Sequence, residues 1–327
     1  MSRYLAVPVF ALTALVAACG RPERSQTTSS SAGASTPVVS GSKSVEDSSS
    51  EGNVEVAPVT YARAESTFGA GNYQEATELF SHYTVSHPEN PWGYYMVGVS
   101  AWKSGSRDQA LAAFDKSIEL DPNHRKSLYN SSRVLLELGR PQEALDRIEK
   151  ALSQEPASGE GLRLLGRTRY LLGQVDEAIA AYQKALVTDD QDVWAMNNLG
   201  LIYLDQNRPW DALAPLARAV QLRSRSPVFQ NNLGSALERS GYPEAAARAY
   251  EAAIGVDSTY QKASVSLARV TAAGPTAESQ AVDLDELAQQ FENQIESWRG
   301  AVASMTDSTT ASIEAKTDTL EDGVNQQ

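Results

Sequence analysis

The chain has 327 residues, enough for one large or two modest domains, and its 42% hydrophobic content is low for a wholly globular chain. Of its formal net charge of -13, a share of -9 (eleven acidic against two basic residues) falls between Pro275 and the end, so the body is nearly neutral. There is no basic run or basic–aromatic patch, which argues against nucleic acid as a partner, and the single cysteine excludes an internal disulfide.

Residues 1–18 read as an export signal. Arg3 supplies the positive start, Leu5–Val16 is mostly apolar, and Ala17 and Ala18 are small. The apolar stretch is shorter than the roughly 18–20 residues a spanning helix needs. Cys19 follows directly. Val16-Ala17-Ala18-Cys19 resembles the bacterial lipobox, whose cysteine is lipidated and becomes the mature N-terminus, although Val16 stands where leucine is usual. The alternative is a small residue in an ordinary cleaved signal. By the same resemblance, Gly20 in place of Asp favours the periplasmic face of the outer membrane. Residues 19–56 are rich in Ser, Thr and Gly and bury too little to order themselves, so they form a tether. A flexible coil of about 37 residues spans roughly 30–37 Å.

Four series share one regular step, that from Gly71 to Gly105, and organise the body. Gly71, Gly105, Gly139, Gly173 and Gly241 form one, with Asn207 at the missing place; glycine and then asparagine best tolerate the positive φ that ends a helix in a tight turn. Ala76, Ala110, Ala144, Ala178, Ala212 and Ala246 form the second. The third is bulky (Phe80, Phe114, Ile148, Tyr182, Leu216, Tyr250), and the fourth is small (Ala64, Gly98, Ser132, Gly166, Gly200, Gly234). Small residues let two helix backbones approach, and the bulky residue fills the next gap. Each unit is therefore a hairpin of two short helices. Acids gather at the second helix's start (Glu75, Glu143, Glu177, Asp211), and Pro141, Pro209 and Pro243 occupy its first position. Pro215, past the first turn of the fifth unit's second helix, predicts a kink or displacement there.

These positions resemble the tetratricopeptide repeat. The units are Ala57–Asn90, Pro91–His124, Arg125–Ser158, Gly159–Asp192, Val193–Ser226 and Pro227–Tyr260. The resemblance implies an all-α, right-handed α-solenoid of six hairpins over 57–274, closed by a polar capping helix at 261–273. Gly274-Pro275 ends the cap. Residues 275–304 hold an extra helix, with Leu284, Leu287, Phe291, Ile295 and Trp298 near helical spacing, that folds back on the array or binds a partner. The acidic tail, 305–327, is expected to be disordered.

No nucleophile elbow, phosphate-binding loop or dinucleotide fingerprint is present. His82, His87 and His124 lack metal-ligand spacing and read as exposed residues near helix ends. No catalytic residue, metal or cofactor is expected. The resemblance instead implies a concave groove lined by first helices. There Asn130, Asn197, Asn198, Asn231 and Asn232 could hold an extended peptide backbone, interrupted at Leu164, or could bond locally. Trp92, Tyr95 and Trp102, with Tyr61 and Phe68, mark an aromatic end, unless they pack between hairpins. Arg133, Arg163, Arg167 and Tyr170, with Lys126 and Tyr129, mark a basic middle, where the arginines could clamp carboxylates. The Lys–Asn carboxylate clamp of chaperone-binding family members is not found. The expectation is a membrane-anchored, non-enzymatic scaffold binding a protein or peptide of the cell envelope, such as an assembly factor. The alternative is a self-associating structural module.

Overall fold

The computed structural model describes residues 60–272 and 281–324, with the helical backbone alone from 305 onward. The leader, Cys19, the tether and the link through Gly274-Pro275 lie outside those residues. Two-helix units follow one another: α1 (Tyr61–Gly69) with α2 (Tyr73–Ser86), α3 (Pro91–Lys103) with α4 (Arg107–Leu120), and α5 (Arg125–Glu137) with α6 (Pro141–Gln154). The series continues with α7 (Gly159–Leu171) and α8 (Val175–Thr188), α9 (Val193–Asp205) and α10 (Pro209–Leu222), and α11 (Pro227–Arg239) and α12 (Pro243–Val256). Helices α13 (Gln261–Ala272) and α14 (Leu284–Val324) close the chain.

The turn of each hairpin is left-handed. The five series glycines have φ between 72° and 94°, and Asn207 takes 58°. Inside each hairpin the second helix drives one bulky side chain into the first. A Cβ added to Gly98 would lie 2.6 Å from Phe114, one on Gly200 2.5 Å from Leu216, and one on Gly234 2.6 Å from Tyr250. In the third hairpin Ser132 holds the small position, and its buried hydroxyl donates to the Leu128 carbonyl at 2.7 Å. All six series alanines are fully buried. Successive hairpins then stack, each second helix against the next first helix. First helices of successive units also approach one another (α3 and α5, α5 and α7, α7 and α9, α9 and α11), whereas successive second helices do not come as close. The first helices therefore line the inner face of an α-solenoid.

Helix α10 continues through Pro215 as one helix of 14 residues, the same length as α8 and α12. The missing amide does not interrupt it, because α9 and α11 flank it and α14 crosses it. The cap, α13, is tied to α11 by Arg269, whose guanidinium donates to both Glu238 oxygens at 2.8 Å. That pairing, reinforced by the Tyr250 hydroxyl, holds the Glu238 carboxyl below its usual range.

The tail departs from expectation. α14 begins at an Asp283 cap that accepts from the Asp285 and Glu286 amides at 3.0 Å. It folds back over α10 and α8, burying Ala288, Phe291 and Ile295. It then runs to Val324, through the stretch expected to be disordered. Once the packed turns nucleate a helix, each further residue costs little, and no proline interrupts this segment.

Replacing Gly200 with Val should test the hairpin contact. Val and Gly differ little in helix propensity, so overpacking against Leu216 decides the outcome. The expected loss is about 1–3 kcal/mol in denaturant unfolding; an unchanged midpoint would show that Leu216 can move aside.

Candidate functional site

The first helix of each unit from the second to the sixth starts at a side chain that caps it. Asn90, His124, Ser158, Asp192 and Ser226, spaced again by one repeat, each accept from amides two or three positions on. His124 is thus a buried cap rather than an exposed surface histidine. Its Nδ1 accepts from the Ser127 amide at 3.2 Å and meets the Ser127 hydroxyl at 2.7 Å. Burial lowers its pKa, with the Lys126 charge adding to this and Asp121 opposing. The signal was present in the sequence as a fifth series at the repeat's own interval, but the capping residues are chemically too varied to stand out by identity.

The aromatic end is an inter-repeat stack. Trp92 lies edge-on to His124 at 4.5 Å and to Tyr95 at 5.6 Å, with the Lys126 ammonium 5.1 Å over its ring. It still leaves 45% of its surface exposed. The Tyr95 hydroxyl accepts from Asn130 at 3.2 Å; burial raises its pKa, and that bond opposes the rise. Trp102 donates to Glu137 at 3.2 Å. Tyr61 and Phe68 pack inside the first hairpin, against Phe80 and Tyr83 and against Tyr73. Tyr129 is buried, its hydroxyl pressed toward Gly161.

The asparagines do not form a free ladder. Asn197 is fully buried and accepts from Asn232 of the next unit at 2.8 Å, which corrects its expected place in the groove. Asn197 in turn donates to Asn198 at 3.5 Å, and Asn198 donates to the Tyr182 hydroxyl at 3.3 Å. Asn231 donates to Asn232 at 3.4 Å, and its own buried carbonyl oxygen has no partner among the described residues. The amides bond to one another across the stack, so part of their bonding capacity is spent before any ligand arrives.

The basic middle separates into paired and unpaired groups. Arg133 donates to Asn130 at 2.8 Å and bridges to Glu160 at 2.6 Å. Arg163 bridges at 2.5 Å to Asp192, the carboxylate that also caps α9. Tyr170 donates to Asp205, and burial together with that bond pushes its pKa well up. The expected joint clamp of three arginines is therefore not assembled. Arg167 differs from the other two. Only 7% of it is exposed, yet among the described residues no carboxylate or hydrogen-bond acceptor meets its guanidinium. It stands on the inner face of α7, one repeat on from Arg133 and one turn from Arg163.

This geometry defines a class: an α-solenoid of helical hairpins whose continuous inner face is a surface for protein or peptide partners. Family models described as tetratricopeptide repeat match residues 129–193, residues 181–214, and residues 93–124 together with 229–260. The chain carries tetratricopeptide repeats. No curated protein matches it. Among solved structures it is similar to a tetratricopeptide repeat protein from Parabacteroides merdae, at 15% identity over 66% of this chain and 86% of that one, TM-score 0.55. It is similar to the APC/C hetero-tetramer Cut9–Hcn1, at 17% identity over 64% of this chain and 41% of that one, TM-score 0.56. A thermophilic tetratricopeptide repeat protein of Thermus thermophilus matches at 20% identity over 56% of this chain and 100% of that one, TM-score 0.49. The first two of these likenesses show the fold.

The His124 cap has a pH signature. The folded state binds the imidazole proton more weakly than the unfolded chain does, so the cap's contribution is complete above the ordinary value of about 6.5 and is lost as pH falls below it. The melting midpoint should drop between about pH 7.5 and pH 5. His124→Asn, which keeps an acceptor at the cap as Asn90 does, should flatten that part of the profile; an equally steep fall in the variant would assign it elsewhere.

Proposed function

We propose that this protein is a non-enzymatic scaffold whose inner groove holds an acidic segment of a protein or peptide partner, with Arg167 as the anchor. One observation carries the reading. The Arg167 side chain is packed into the inner face with no counter-charge among the described residues, while its guanidinium nitrogens stay open to solvent, so a partner-supplied carboxylate can reach them and is the natural complement. Arg133 and Arg163 flank that position but already hold Glu160 and Asp192, and they act as fixed walls. A bidentate guanidinium–carboxylate pair formed there fixes both affinity and register. Trp92 is the exposed apolar contact at the groove's other end.

Arg167→Met separates binding from folding. It keeps much of the side-chain volume and removes the charge, so the melting midpoint should stay level or rise. Peptides selected from a random library on the unaltered chain should be acidic and should lose about tenfold or more in affinity for the variant, as expected for a charged hydrogen bond worth about 1.5–3 kcal/mol. Selection of peptides without acids, or equal affinity for both proteins, would overturn the assignment.

We propose further, from the lipobox-like Val16-Ala17-Ala18-Cys19, that Cys19 is lipidated and holds the scaffold at the periplasmic face of the outer membrane, where its partner belongs to the cell envelope. No helix among the described residues is long and apolar enough to cross a membrane. One acyl chain is marginal and several are firm. Cys19→Ala should abolish labelling by radiolabelled palmitate and move the protein to the soluble envelope fraction. Unchanged membrane association without label would refute the anchor.

A further inference from the structure

Helix α14 shows what the outer face of this array accepts. It lies across α10 and α8, burying Phe291 and Ile295. Glu292 bridges to Arg218 at 3.2 Å, and Arg299 bridges to Asp190 at 3.2 Å. Because the hairpins repeat at a constant interval, this seat has a counterpart one unit earlier. There Lys184 stands for Arg218, Ala180 for Ala214, Ala181 for Pro215, Leu165 for Leu199 and Leu152 for Leu186. At that place α6, α7 and α8 surround an open cleft of about 520 Å³ with a mostly apolar floor. The preceding junction differs: Arg147 occupies the position of Ala181 and forms an ion pair with Asp115 at 2.7 Å.

We infer that the cleft between α6, α7 and α8 is a second docking site, which takes an acidic amphipathic helix of a partner protein in the way α14 is held one repeat further on. The charge at the cleft selects that occupant. Of the charged side chains that line it, Arg169 is held by Glu149 and Glu177 stands two turns before Lys184 on α8, while Lys184, at the counterpart of Arg218, makes no ion pair among the described residues. A carboxylate placed beside a large apolar side chain, as Glu292 is beside Phe291, therefore meets a cation, while a second apolar side chain one helical turn on covers the leucines. The second bridge has no counterpart, since Pro156 replaces Asp190, so the occupant needs an acid but no matching arginine. The site lies on the outer face and is independent of the Arg167 groove.

A fluorescein-labelled peptide of residues 282–304 serves as the probe, added to the full chain and followed by anisotropy. Saturable binding is expected. Lys184→Glu should weaken it at least tenfold, and Ala180→Arg, at an exposed position on the cleft wall, should abolish it. A peptide carrying Glu292→Lys should bind the unaltered chain poorly and regain affinity for the Lys184→Glu variant. Arg167→Met should change none of these values, which separates this site from the inner groove. Absence of saturable binding, or binding indifferent to Lys184→Glu and Ala180→Arg, overturns the proposal; the latter would mean that the probe displaces the resident α14.

Discussion

The architecture depends on one contact repeated along the array: a large side chain of each second helix seated on a near-naked stretch of first-helix backbone. Phe114 on Gly98, Tyr182 on Gly166, Leu216 on Gly200 and Tyr250 on Gly234 are the same joint with different fillers. Where a Cβ is absent the two helix axes draw together, and every subsequent spacing follows from that distance. The fully buried alanines and the positive-φ turn residues serve the joint, the first by allowing the approach and the second by reversing the chain within it. Because the hairpin is fixed by a local contact, the filler is free to vary among aromatic and aliphatic residues while the stack keeps its step.

Features of this kind are legible in a sequence because they recur at one interval. The turn at Asn207, the hairpin boundaries and the fully buried alanine series all follow from the constant step of the repeat. Through-space pairings do not recur, and they determined the chemistry of the inner face. Nothing in the spacing of Arg163 points to Asp192, at the start of the next unit's first helix, nor does that of Arg133 to Glu160. Three arginines that look equivalent along the chain are chemically distinct once folded: two are structural and one is uncommitted. The asparagines likewise turn toward each other, because stacking brings Asn197 and Asn232 together across a repeat boundary.

The place where α14 lands did leave a trace. On the outer face of the second helices, the position held by Ser81, Asp115, Glu149, Gln183 and Glu251 is Ala217 in the fifth unit, where the residue is buried. A polar position that turns small and apolar in one copy of a repeat marks a surface covered by the chain itself, whereas Gln183 keeps the fourth unit's counterpart compatible with water when no partner is bound. Pro215 two positions earlier is explained in the same setting: a helix braced on several sides tolerates a lost amide that an isolated helix would not.

That brace also makes the two ends of the array mechanically unequal. An ordinary solenoid behaves as a spring of identical coils, each touching only its neighbours. Here Glu292 and Arg299 fasten two coils from a helix that lies well beyond them along the chain, and the core from Leu162 onward is one continuous mass that includes α14. The earlier coils have a smaller core of their own and, among the described residues, no such strut. Bending under load would therefore concentrate in the coils before α7, which carry Trp92, Tyr95 and Arg133, while Arg167 stays at the edge of the stiff block. The groove thus joins a more compliant arm to a stiffer one, and the unpaired arginine lies near the boundary between them.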